Sequence, residues 1–168
     1  MAKFDCEVIG ASHADEFRVA ASATRARAGE PLEFNGTYTS GVASVNTVVQ
    51  AADATPVIGT DNFVGICSKD FEVDSAGTVT AHKTLARVPI PHYTKIRALA
   101  KTKANIDTDA ELLGVLWDLV LFDVTSSEFT IDETAAADTS GLIVRNGNTS
   151  RGTLDVVIDA RAFRADIS

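Results

Sequence analysis

Apolar residues in this chain come in short alternating runs, and glycine, proline, asparagine or aspartate breaks each run within a few residues. The last run shows the pattern best. Leu154, Val156 and Ile158 alternate with Asp155, Val157 and Asp159, and a period of two gives a strand one well-specified apolar face. Strands of this kind cannot each own a core, so they must share one as a barrel or a sandwich. The residue supply agrees: alanine, threonine and valine dominate beside one Met, one Trp and two Tyr, a mixture that favours strands over helices. The fold class expected is all-β or mostly β, a compact β-barrel or β-sandwich with at most one or two short helices. At 168 residues one domain is the default.

Residues 1–28 read as an N-terminal arm or an edge segment, small and polar around Ala20 to Arg27, and residues 29–168 as the single β domain. Leu32 to Phe34 and Val45 to Val49 are expected strands. Pro56-Val57-Ile58 and Phe63 to Cys67 read as buried strand pieces around the turn Gly59 to Asn62. Phe71 to His82 has the form of a hairpin with a Gly-ended loop. In Val88-Pro89-Ile90-Pro91 neither proline can donate to a ladder, which puts the segment at an edge or a crossing between sheets. Ile96, Ala98 and Ala100 give the next segment an apolar face, with Lys95, Arg97 and Lys101 on the other. Thr108-Asp109-Ala110-Glu111 is a capping box ahead of Leu112, Leu113, Val115 and Leu116, so a short helix is expected between Asn105 and Trp117, with a buried strand as the alternative. Leu119 to Val124 and Glu128 to Ile131 form a further hairpin, and the closing strand is expected from Thr153 to about Phe163.

Chemistry is sparse. The phosphate loop GxxxxGK[ST], GxGxxG, the GxSxG elbow and HExxH are all missing from the sequence, which removes the commonest nucleotide, hydrolase and zinc signatures. His13, His82 and His92 are scattered, and a His82–His92 metal pair lacks a third ligand. Asp107, Asp109 and Glu111 are spaced like the start of a calcium loop, but Leu112 stands where such a loop needs Gly; capping by acids explains them more simply. Asp132-Glu133 and Asp70-Glu72 read as solvated loop charges. Cys6 and Cys67 are too distant for a metal-binding pair, and buried thiols are favoured over a disulfide. No enzyme activity, cofactor or metal is expected. No apolar run reaches membrane-spanning length, the first residues lack the apolar centre of a leader, and a net charge of −8 disfavours nucleic acid and anionic membranes as partners.

Charge order is the most unusual feature. Ser75 to Ile106 holds six basic residues, Lys83, Arg87, Lys95, Arg97, Lys101 and Lys103, and no acid. Asp107 to Gly141 holds nine acids and no Lys or Arg. Two such blocks either pair within the chain across neighbouring strands or meet the opposite block of another subunit in a head-to-tail ring. A third option docks the basic face on an acidic protein shell, an attraction that salt screens.

Phe63 to Ile66, the hairpin Asp70 to Val79, the Val88 to Pro91 run and the closing stretch Gly152 to Phe163 together resemble small structural proteins of tailed bacteriophages, and more narrowly the decoration, or cement, proteins that coat the capsid. The resemblance spans roughly Gly29 to Phe163 as a general pattern. It implies a compact β-barrel or β-tulip, frequently trimeric, with a terminal arm on the major capsid protein and neither catalysis nor cofactor. The expectation is then a virion protein on the outer capsid surface, made in the host cytoplasm, that bridges capsomers and stabilises the head by avidity. Arg18, Arg25, Arg27, Lys83, Arg87, Lys95, Arg97, Lys101 and Lys103 are the expected capsid or subunit interface. Reversing Lys95, Arg97 and Lys101 to Glu is expected to abolish assembly or shell binding while leaving the monomer fold intact. The runner-up is a surface-exposed β module for carbohydrate or a host receptor, which needs exposed aromatic rings from a short supply, Tyr38, Tyr93 and Trp117. A small hydrolase with an unrecognised site is the third reading.

Overall fold

The computed structural model describes residues 6–9, 14–19, 28–34, 47–59, 63–68, 85–89, 94–125, 128–135 and 137–162. Eleven strands and one α-helix lie in these residues: β1 (Glu7–Ile9), β2 (Ala14–Val19), β3 (Pro31–Phe34), β4 (Thr47–Gln50), β5 (Phe63–Ile66), β6 (Leu85–Pro89), β7 (Lys95–Leu99), α1 (Asp109–Val115), β8 (Leu119–Thr125), β9 (Glu128–Asp132), β10 (Leu142–Asn148) and β11 (Thr153–Ile158). They build two sheets, one in the order β1-β7-β11-β10-β8-β9 and one in the order β5-β3-β4-β2-β6. The first is antiparallel throughout; in the second only β2 and β4 run parallel. The first sheet almost closes on itself, because a parallel bridge joins Ala100, just past β7, to Ile131 on β9, and the Lys101 N–H donates to the Ile131 carbonyl at 2.8 Å. The mostly β, barrel-like class expected from the alternating runs is the class observed.

The main core fills this barrel. Ile96, Ala98, Val120, Phe122, Phe129, Ile131, Leu142, Val144, Leu154 and Val156 are buried in one cluster, and each comes from the inward phase of its strand, as the alternation in β7 and β11 requires. Phe122 sits between Phe63 and Phe129, with ring centroids 6.0 and 6.2 Å away. A smaller cluster of Leu32, Val48, Val64 and Cys67 holds the second sheet together. Strand β5 serves both clusters through a bulge: Leu32 faces Gly65 and Glu33 faces Phe63, so Val64 is the extra residue. Phe63 and Ile66 therefore enter the barrel core while Val64 and Cys67 enter the other. Gly65 has φ +146°, a conformation that side chains disfavour.

Several elements differ from the sequence expectation. The segment 1–28 contributes β1 to the edge of the first sheet, within the edge-segment alternative, and β2 to the interior of the second, between β4 and β6; residues 1–5, 10–13 and 20–27 lie outside the described residues. Pro56-Val57-Ile58 is not a strand. It forms an isolated bridge from Val57 to Ser140, and the preceding loop clasps β8, with Ala54 N donating to the Phe122 carbonyl at 3.0 Å and Phe122 N to that of Thr55 at 2.7 Å. The closing strand stops at Ile158, because Asp159 turns to accept from Arg161 and a 3-10 turn covers Ala160–Ala162. Strand β6, ending at Pro89, lies at the end of its sheet, as proline requires. The 71–82 hairpin lies outside the described residues.

Helix α1 begins as its capping box dictates. The Thr108 hydroxyl accepts from Glu111 N at 3.3 Å and the Glu111 carboxylate accepts from Thr108 N at 3.0 Å, which favours the helix over the buried-strand alternative. Leu112, Val115 and Leu116 pack on the barrel core. Gly147 admits Leu112: a Cβ there would lie 2.6 Å from the Leu112 Cδ1.

Candidate functional site

Of the nine basic residues expected at an interface, Arg25, Arg27 and Lys83 lie outside the described residues. The backbones of Arg18 and Arg87 are placed, Arg18 opposite Leu85 and Arg87 opposite Glu16 in the β2–β6 pair. The other four belong to the barrel and its connections. Lys95 is exposed on β7. Arg97 donates from Nε to Asp155 Oδ1 at 2.7 Å and from Nη2 to Oδ2 at 3.0 Å, a two-pronged pair across directly opposed positions of β7 and β11. That hydrogen bonding raises the Arg97 guanidinium above its ordinary pKa.

Lys101 is more heavily engaged. Its Nζ lies 2.7 Å from Asp123 Oδ1 on β8 and 2.8 Å from Asp132 Oδ2 on β9, directly beside the bridge that closes the barrel. Hydrogen bonds donated to the Asp123 and Asp132 carboxylates hold the ammonium pKa above the usual lysine value. Burial pushes the Asp132 carboxyl up, but hydrogen bonds from Lys101 and Thr134 outweigh it and leave the group below its ordinary value. Glu133, almost fully buried, accepts from Asn105 Nδ2 at 2.8 Å. Lys103 donates to the Ser150 carbonyl at 2.8 Å, and its stem lies where a Cβ on Gly152 would be.

The two charge blocks thus meet inside one chain at Lys101, Asp123 and Asp132, and the barrel seam is where they meet. This corrects one expectation. Reversing Lys95, Arg97 and Lys101 to Glu cannot leave the fold untouched, because a glutamate at 101 would bring a third carboxylate against two, and one at 97 would face the nearly buried Asp155.

A shallow groove of about 280 Å³ lies on the outer face of β1, β7 and β11, lined by Glu7, Arg97, Leu99, Arg151 and Thr153. Its floor follows from register: Glu7, Arg97 and Asp155 stand opposite one another on three neighbouring strands, and Leu99 and Thr153 form the next row. Leu99 is 37% exposed. Arg151 is presented by the β10–β11 turn, where its N–H donates to Asn148 Oδ1 at 2.8 Å. Glu7 and Arg151 carried no signal in the sequence, since only the pairing of β1 with β7 brings Glu7 beside Arg97.

Among the described residues no three His, Cys, Asp or Glu side chains are grouped to hold a metal ion, and no helix is long and apolar enough to cross a membrane. Asp109 and Glu111 lie in the first turn of α1, where acids offset the helix dipole. Cys6 and Cys67 are buried thiols, with Cys6 in the barrel cluster and Cys67 in the smaller one. No family model matches the chain, and no curated protein matches it.

Proposed function

We propose that this chain is a structural virion protein that coats the outer surface of a tailed-bacteriophage capsid and stabilises the shell by bridging capsomers, with the major capsid protein as its partner. One observation supports the reading above others: among the described residues Asp123, Asp132, Glu133 and Asp155 are committed to ion pairs and hydrogen bonds that close or brace the barrel. The barrel interior is filled by side chains. A body so built works through its outside. With Arg97 and Lys101 held internally, Lys95 and Arg151 are the exposed basic groups among the described residues that stand beside the groove over β7 and β11 and would meet an acidic shell there. The alternative, a carbohydrate- or receptor-binding module, needs open aromatic faces; among the described residues Trp117 is the exposed aromatic, and the Arg145 guanidinium covers one of its faces at 4.2 Å.

The test is co-sedimentation of the purified protein with empty capsids at low and moderate salt, beside a Lys95→Glu, Arg151→Glu double variant. Saturable binding that the double variant weakens at least tenfold is expected. Wild-type protein left in the supernatant at both salts would sink the reading.

A further inference from the structure

Helix α1 is apolar on two sides. Leu112, Val115 and Leu116 face the barrel core, whereas Ala110, Leu113 and Gly114, at i, i+3 and i+4, form an exposed stripe. Leu113 is 70% exposed, and Trp117, just past the helix end, is 66% exposed. Trp117 is held at φ +74° by backbone hydrogen bonds between Trp117 N and the Val144 carbonyl at 2.8 Å and between Val144 N and the Asp118 carbonyl at 3.0 Å. Asp109 and Glu111 flank this stripe and leave an apolar strip on the side away from the core, where a surface helix ordinarily carries polar residues, and exposed Trp and Arg side by side are the residue types that anchor protein interfaces. At Gly114 an added Cβ would meet nothing within 4 Å, so the backbone there is open to close approach.

We propose that a second copy of this chain covers the outer face of α1, the two helices crossing antiparallel about a two-fold axis at Ala110 and Gly114. Charge selects this occupant. One end of the stripe carries the exposed acids Asp107 and Asp109 and the other carries Arg145 stacked on Trp117, while α1 itself has no basic residue. An antiparallel copy sets each acidic end against the other's Arg145, satisfying both ends at once through one self-complementary patch. The contact goes beyond the capsid reading and is independent of it. Copies joined through any other surface would still pair here, giving an even number of chains.

Light scattering over a range of protein concentrations tests this. The wild type is expected at an even multiple of the 17.7 kDa chain, and Gly114→Gln, which adds bulk where the fold has room, is expected to halve that mass with the circular dichroism spectrum unchanged. Asp109→Lys and Arg145→Glu should each weaken pairing at least tenfold, and the two combined should restore it. A monomeric wild type, a mass that Gly114→Gln and Leu113→Glu both leave unchanged, or a double charge swap that fails to recover pairing would overturn the proposal. Capsid co-sedimentation of Gly114→Gln separates this result from the decoration reading.

Discussion

Phe122→Ala removes the ring at the centre of the barrel. That ring is fully buried and sits between Phe63 and Phe129. A buried aromatic side chain removes about 150–250 Å² from water, which at about 25 cal/mol per Å² is an upper value of about 4–6 kcal/mol. Alanine keeps one carbon of it, and the walls around Phe122 belong to paired strands that cannot collapse inward, so a loss of about 4 kcal/mol is expected, within the usual range for Phe→Ala. For a chain of this length that lowers the melting temperature by about 12 °C. Urea unfolding followed by far-ultraviolet circular dichroism measures it; Trp117 fluorescence is a poor probe because that ring is already exposed in the fold. The midpoint should fall with an unchanged m value, and Phe122→Leu should cost only about 1.5 kcal/mol. A loss below about 1.5 kcal/mol for the alanine variant would refute the barrel packing described above.

Gly141→Ala places a Cβ 2.6 Å from the Pro56 carbonyl oxygen and 2.8 Å from the Ala162 Cβ, so overpacking of about 2–3 kcal/mol is expected; a wild-type melting temperature would contradict it. Thr108→Ala removes the capping box and should cost about 1 kcal/mol, with faster amide exchange confined to α1; uniform exchange across the barrel would argue against a local role. Asp159, held down by hydrogen bonds from Arg161, and Asp132 both have folded pKa values below the ordinary carboxylate value. Their contribution is therefore complete above about pH 4 and is lost as pH falls further through the folded values. Thermal melts from pH 7 to pH 2 should show a plateau and then a decline, and Lys101→Met, which removes one of the groups holding Asp132 down, should lower the plateau and make the decline shallower. An identical acid limb in Lys101→Met would disconnect Lys101 from Asp132.

Much of the fold was legible because alternation fixes which side of a strand is buried: Ile96, Ala98, Leu154, Val156 and Ile158 all lie in the core. The capping box likewise located α1, since Thr108 and Glu111 satisfy each other's backbone without help from distant residues. The extent of the closing strand was misjudged because Asp159 and Arg161 form their own local turn, which strand alternation does not register. The segregated charges were visible as blocks, but the sequence left open whether they pair within one chain. The deciding fact is the passage of Lys101 alongside β9, a contact between residues thirty-one positions apart, set by barrel closure and by no local pattern. The groove was illegible for the same reason, and the open face of Trp117 depends on backbone contacts with Val144.

The bulge in β5 turns a difficulty of sequence length into a division of labour. Gly65, opposite Leu32, has no side chain to set against it, and the one surplus residue, Val64, supplies the missing apolar group to the smaller cluster. Removing Val64 would leave Phe63 and Ile66 two positions apart and still facing the barrel, with Cys67 still facing the other way. A single-residue deletion here is therefore selective. It takes one apolar side chain from the smaller core, leaving Leu32, Val48 and Cys67, while sparing its neighbour, so the second sheet can be loosened by one codon without rewriting the barrel.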